Sequence, residues 1–193
     1  MKKLGILIIT LGVLFLSGCS YKNSTVAIAP YKVNFLSFSN KHKRVYINSI
    51  KDDRTNKHIV AVITNSKGDN LGYITTTQNF IKWYKNALQK ALMANGFFIA
   101  NNKKQSDMSM DLILKELLVS FNKNEFIKEN LTGRISLKLI LHTKKETITK
   151  NISENTSKYN GLTISKEGFK EQLQTLLNDS IKLIVENLKQ TQY

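Results

Sequence analysis

The residues of this chain that can do chemistry are few, and in the sequence they stand apart. His42 lies in the basic run Lys41-His42-Lys43-Arg44, His58 in a polar turn and His142 at the end of a strand-like stretch. None has another histidine three or four residues away, the spacing that puts two imidazole ligands on one helix face. Asp52-Asp53 is an adjacent acid pair; a hydrated cation is one use for it, and favouring a turn is the plainer one. There is no Gly-x-Ser-x-Gly elbow to expose a nucleophilic serine and no Gly-x4-Gly-Lys-Ser/Thr loop to cradle phosphate. The sequence therefore asks for no metal and no cofactor and marks no catalytic residue. The one remaining reactive group is the thiol of Cys19, the only cysteine. A sole cysteine closes no disulfide within the chain and builds no cysteine metal site, so its chemistry has to come from its neighbours.

Those neighbours are distinctive. Lys2 and Lys3 precede an apolar run from Leu4 to Leu16, relieved only by Gly5, Thr10 and Gly12, and Leu16-Ser17-Gly18-Cys19 follows directly. Two cations, about a dozen apolar residues and then small ones form a secretory leader, too short for the roughly 20 residues of a membrane-spanning helix. A buried N-terminal helix fits less well, because the run has no polar face. Leu-Ser-Gly-Cys resembles the lipobox of bacterial lipoproteins. The resemblance implies cleavage between Gly18 and Cys19, diacylglycerol on the Cys19 thiol and an acyl chain on the freed amine. Two or three chains, at about 0.8 kcal/mol per buried methylene, anchor a protein durably, whereas one binds marginally. The first partner expected is thus a membrane, held through Cys19. Ser20 rather than aspartate follows the cysteine, which by the sorting rule of enteric bacteria resembles an outer-membrane lipoprotein. The domain is then expected to face the periplasm.

Without residues 1–18 the chain is long enough for one domain with a real core and short for two. The full sequence has a formal charge of +15, with 29 Lys and Arg against 14 acids. Such an excess suits anionic lipid, lipopolysaccharide or nucleic acid. Only Arg44, Arg54 and Arg134 are arginine, however, the side chain that grips phosphate with two donors at once. Export also separates the chain from cytoplasmic nucleic acid. The expected partners are another envelope protein, anionic lipid or lipopolysaccharide, and no nucleic acid.

The elements that must position any site follow from periodicity. Residues 19–43 read as the lipidated cysteine and a tether that leads into a partly docked extended segment, and 44–193 as a single domain. Arg44 to Ile50 alternates with a period of two, with Val45, Ile47 and Ser49 on one side; Ile59 to Thr64 is β-branched and apolar; a short strand follows at Leu71 to Thr75. Phe80, Ile81, Tyr84, Ala87, Leu88, Ala91 and Leu92 form one stripe of an amphipathic helix. Its start is marked by Thr75 and Gln78 at capping-box spacing, or by Thr76 or Thr77, and its end by Gly96. Trp83 falls beside the stripe, as a core-edge residue more than a binding aromatic. Phe97–Ala100 is a short strand and Asn101–Ser109 a loop. Asp111 to Phe121 is apolar on both faces for part of its length, as in a strand covered on both sides. Arg134 to His142 and Glu146 to Ser153 read as a hairpin. A second helix carries Phe169, Leu173, Leu176, Leu177, Ile181, Ile184, Val185 and Leu188, with Ser165 as N-cap and Glu167 in its first turn. The fold expected is α+β, a single antiparallel sheet with two amphipathic helices on one face.

The lipobox, the first strand running into Asp52-Asp53-Arg54-Thr55, and the helix ending in Lys90-Ala91-Leu92-Met93-Ala94-Asn95-Gly96-Phe97 resemble the YajG family of bacterial lipoproteins. The long strand Met110 to Phe121 and the hairpin after it are similar too. The resemblance implies an outer-membrane lipoprotein facing the periplasm and no enzymatic activity. The order of elements is also similar, without a shared motif, to LptE and the auxiliary lipoproteins of lipid-exporting ABC systems. Asp52, Arg54 and Thr55 are expected to form a turn held by a side-chain pair. Phe126, Ile127 and Leu131, apolar in a polar stretch, are candidates for partner contact, with burial in the core as the alternative. A non-enzymatic binding or assembly module of the envelope is the leading functional expectation. A surface adhesin, its lysines meeting anionic host glycans, is the other.

Overall fold

The computed structural model describes residues 23–33, 43–65, 67–123, 130–161 and 163–191. The leader, Gly18, Cys19, His42, Phe126 and Ile127 lie outside the described residues. In chain order the elements are β1 (Ser24–Thr25), β2 (Arg44–Asp52), β3 (Ile59–Thr64), β4 (Asn70–Thr75), α1 (Phe80–Ala94), β5 (Phe98–Ile99), β6 (Met108–Asn122), β7 (Leu131–Thr143), β8 (Thr147–Lys158) and α2 (Lys166–Gln190).

The class is α+β, but the sheet is mixed rather than antiparallel. Strands β6, β7 and β8 form the antiparallel meander that their alternation predicts. On its other edge β6 is parallel to two strands in succession, to β2 over Met108–Leu114 and to β3 over Val119–Asn122. Period two reports which face a side chain takes and carries nothing about strand direction. The residues between Asp52 and Ile59 are therefore a jog between two strands running the same way, not a reversal. A parallel pair needs a long crossover, and β4, α1 and β5 lie within it. Strand β4 turns back on β3, β1 adds to β4 and β5 to β2, so the sheet forks beyond β6.

Two β-bulges explain where the alternation misleads. Lys115 is the extra residue between Leu114↔Leu137 and Glu116↔Ser136. It brings Leu112 and Leu114 onto the same face as Leu117, Val119 and Phe121, all buried. The apparent two-sided apolarity of β6 is thus one covered face whose phase slips midway, while Ile113 and Leu118 stay half-buried on the open face. In β2 the extra residue is Asn48, between Ile47↔Met110 and Ser49↔Asp111. It swings Ile50 to the core side and leaves Ser49 on the open side beside Asp111.

Helix α1 begins later than the threonines suggest: Asn79 is its N-cap, its side chain accepting from Lys82 N at 2.9 Å. Thr76 instead accepts from Gln78 N in the preceding turn. Gly96 adopts φ 84° behind the helix, a conformation natural to glycine at that position. Ser165 caps α2 by accepting from Gly168 N, and Glu167 sits in its first turn. The helices are joined by the buried Tyr84, whose hydroxyl pairs with Ser180 Oγ at 2.8 Å. Burial pushes the Tyr84 phenol well above its ordinary value, so it remains neutral at any physiological pH.

Helix α2 lies on the meander so closely that β7 has no room for a side chain at Gly133. A Cβ there would come within 2.6 Å of Leu176 Cδ1 and 2.9 Å of Thr156 Oγ1. Gly133→Ala is expected to cost about 1–3 kcal/mol, as overpacked cores do, read as a lowered urea midpoint. An unchanged midpoint would mean that α2 does not bear on β7 at this point.

Candidate functional site

The Asp52–Arg54 pair fills the gap that the jog leaves in the sheet. β2 stops opposite Leu114 and β3 joins β6 only at Val119, so the Leu117 carbonyl has no strand partner on that edge. Arg54 supplies one. Its Nη1 donates to Leu117 O at 3.4 Å and to Ile59 O at 3.1 Å. Its Nη2 donates to Lys57 O at 2.7 Å and Asp52 Oδ2 at 2.8 Å, and its Nε to Asp52 Oδ1 at 2.9 Å. All five guanidinium N–H groups are thereby used. Both side chains of the ion pair are 6% exposed, and the guanidinium stands 5.5 Å from the ring centre of Phe80, the first residue of α1. This arrangement leaves no donor for a ligand, so the motif is a staple between β2, β3, β6 and α1. Thr55 is exposed beside it.

Of the three residues expected at a partner contact, Leu131 is described, and it is wrongly placed for that role. It opens β7, pairs with Phe121 and is fully buried. The strand begins three residues before Arg134, so the apolar signal of Leu131 belongs to the core.

The open face of the sheet carries a polar chain across four strands. Asp111 of β6 accepts from Asn48 Nδ2 at 2.8 Å and from Ser49 Oγ at 2.5 Å on β2. Its other oxygen lies 3.1 Å from His142 Nε2 on β7, and His142 Nδ1 lies 3.1 Å from Thr147 Oγ1 on β8. Burial opposes ionisation of Asp111, but the bonds from Ser49, Asn48 and His142 outweigh it and hold the carboxyl below its usual 3.8. A depressed carboxyl adds stability above its unfolded pKa and loses it as pH falls through the folded value. Asp111→Asn is accordingly expected to flatten the acid limb of the stability profile below about pH 4; equal acid slopes in variant and parent would contradict this linkage. Among the described residues no group of three or more His, Cys, Asp or Glu gathers as a metal set.

Among the described residues, one feature that can receive a ligand is a groove that no local motif announces. The segment Asn23–Val33 docks along the domain. Ser24 and Thr25 pair with Ile74 and Thr75, Val26 and Ile28 are buried, and Ile28 N donates to Gln78 Oε1. The folded unit thus includes residues well before Arg44, the boundary that composition suggests. Trp83 of α1 holds the segment from the other side, its Nε1 donating to Ala29 O at 3.0 Å. Between segment and helix runs an open groove of about 470 Å³, walled by Ile28, Pro30, Tyr31 and Trp83, with Lys90 and Lys170 also lining it. Trp83 is therefore both a core-edge residue and a groove wall. Apolar walls with two ammonium groups can take a molecule that has an apolar part and an anionic group. The signal in the sequence was the cluster Val26, Ile28, Pro30 and Tyr31 just behind the tether; its partner on α1 lies some 50 residues on and could not be read locally.

Residues 37–192 match the family described as uncharacterized lipoprotein. The chain belongs to that family. The likeness to YajG-type lipoproteins seen in the sequence is thereby shown, and this lipoprotein is associated with the bacterial envelope. Its fold is shared with a Xanthomonas campestris protein at TM-score 0.58 and 8% identity, covering 84% of this chain and 91% of that one. An uncharacterized protein shares it at TM-score 0.55 and 10% identity over 86% and 99% of the two chains. A hypothetical protein from Chlamydia trachomatis does so at 0.51 and 8% over 77% and 96%. At such identities the likeness concerns the fold alone. A search of curated protein sequences finds no match. Among its described residues the lipoprotein has no helix long and apolar enough to cross a membrane.

Proposed function

We propose that this lipoprotein is a non-enzymatic binding module, anchored through acylated Cys19 to the periplasmic leaflet of the outer membrane, whose groove holds an anionic amphiphile of the envelope. The observation that carries the reading is the docked segment. The same stretch of chain that follows the lipid attachment residue forms one wall of the groove, so anchoring and binding share a structural element. Gly18 and Cys19 are the cleavage pair, and Ser20 supports the outer membrane as destination. The groove's apolar walls and its lysines Lys90 and Lys170 suit a lipid-like ligand with a phosphate or carboxylate. The long hydroxyl–imidazole–carboxylate chain on the open face spans four strands and serves to tie them together.

Trp83 is the only tryptophan and lines the groove, so its fluorescence responds to what enters there. Titration with short-chain phosphatidylglycerol is expected to shift its emission to the blue. Phosphatidylcholine of the same chain length should do so far less, and the double variant Lys90→Ala, Lys170→Ala should lose the difference. An emission that neither lipid moves would remove the groove from the account.

A further inference from the structure

We infer that one end of the sheet, bearing the turn Asn65–Asn70 and the residues Leu71, Lys123, Lys158, Tyr159 and Lys166, sits on the headgroups of the bilayer that holds the anchor. The inference rests on acylation of Cys19 and adds to it the orientation of the domain.

Chain length and register carry the argument. Three residues separate Cys19 from Asn23, and four Cα steps reach at most about 14 Å. Asn23 has a definite place: its Oδ1 accepts from Tyr73 N at 2.9 Å. Tyr73 lies opposite Val62, and Val62 opposite Ser120 of β6. Because β1 is parallel to β4, the chain going back from Ser24 heads towards Asn70. That is the end of the sheet where β3 and β6 finish, β7 begins and β8 finishes, at Thr64, Asn122, Leu131 and Lys158. From the level of Ser120 the opposite end of β6, at Met108, is twelve residues distant, about 40 Å at the rise of an extended strand. The anchor reaches the near end and falls far short of the far one.

Charge alone would choose the other way. Among the described residues the far end carries Arg44, Lys103, Lys104, Lys144 and Lys145 against Asp107 and Glu146, with Phe98 54% exposed. Among the described residues the near end carries Lys67, Lys123, Lys158 and Lys166, partly offset by Asp69, Glu167 and Glu171. A lysine close to an anionic surface is worth about 1 kcal/mol and its attraction fades within about 10 Å, whereas a covalent tether sets a hard limit. The tether decides. The near end is also built for an interface: Tyr159 is 54% exposed and Leu71 38% exposed, one an amphipathic ring and the other an aliphatic side chain among cations. The basic far end then points away from the anchoring membrane into the surrounding compartment.

The test uses the acylated full-length protein in vesicles of phosphatidylethanolamine and phosphatidylglycerol. With the Cys19 thiol consumed by its lipid, a thiol-reactive bimane marks one introduced cysteine only, in Lys67→Cys or in Lys144→Cys, both exposed positions. A headgroup nitroxide lipid is expected to quench the probe at position 67 several times more than the probe at 144. Equal quenching, stronger quenching at 144, or none at either on vesicles that carry the protein would overturn the orientation. Protein that fails to float with the vesicles would instead defeat the anchor reading, and this inference with it.

Discussion

Replacing Arg54 by methionine is expected to cost about 3–5 kcal/mol, the usual loss when one partner of a buried ion pair is removed. Methionine fills much of the volume, so the effect is electrostatic. Asp52, 6% exposed on its side chain, is left a charge without a partner, and the carbonyls of Lys57, Ile59 and Leu117 lose their donor. Domains of this size hold about 5–15 kcal/mol in all, so the variant should unfold near or below physiological temperature. The double variant Asp52→Asn, Arg54→Met removes the stranded charge and is expected to regain part of the loss, with the carbonyls still unpaired. Urea melts of the three proteins decide. A single variant as stable as the parent would show that the jog between β2 and β3 does not depend on the staple.

The second large effect is at Cys19, and it concerns location rather than stability. Cys19→Ala should leave the folded domain unchanged, because the described fold begins at Asn23, past the anchor residue. Exported behind a leader that is cleaved without need of the cysteine, the variant should move from the membrane fraction to the soluble one. Two or three acyl chains correspond to tens of buried methylenes at about 0.8 kcal/mol each, so the shift should be close to complete. Retention of the alanine variant in washed membranes would mean that something other than the lipid holds it there. Mass spectrometry of the parent's first peptide supplies the chemical half of the test: it should begin at Cys19 and carry the lipid mass.

Much of this was legible along the chain, in proportion to how local each signal is. The two helices could be read from their stripes, since 3.6-residue periodicity and the Ser165 cap are properties of short windows. The strands were legible as strands but not as parallel neighbours, because alternation is the same in both directions and β2 meets β6 some 60 residues later. The bulges at Asn48 and Lys115 were hidden for a related reason: one extra residue changes the phase of a pattern, which in the sequence looks like a strand apolar on both sides. Leu131 misled because a strand's first residue stood in an otherwise polar stretch. Asp52 and Arg54 could be paired from their spacing of two, but the gap in the sheet that Arg54 fills exists only in three dimensions. The groove was the least legible, since Ile28 and Trp83 meet only because the tether's far side docks on α1.

The central claim, a module held on the periplasmic side of the outer membrane, is tested most directly by protease treatment of intact cells followed by detection of the domain. A protease that cannot cross the outer membrane should leave it whole, with digestion only after permeabilisation. Digestion on intact cells would place the domain outside, contradict the periplasmic reading and favour a surface adhesin whose exposed lysines meet anionic glycans.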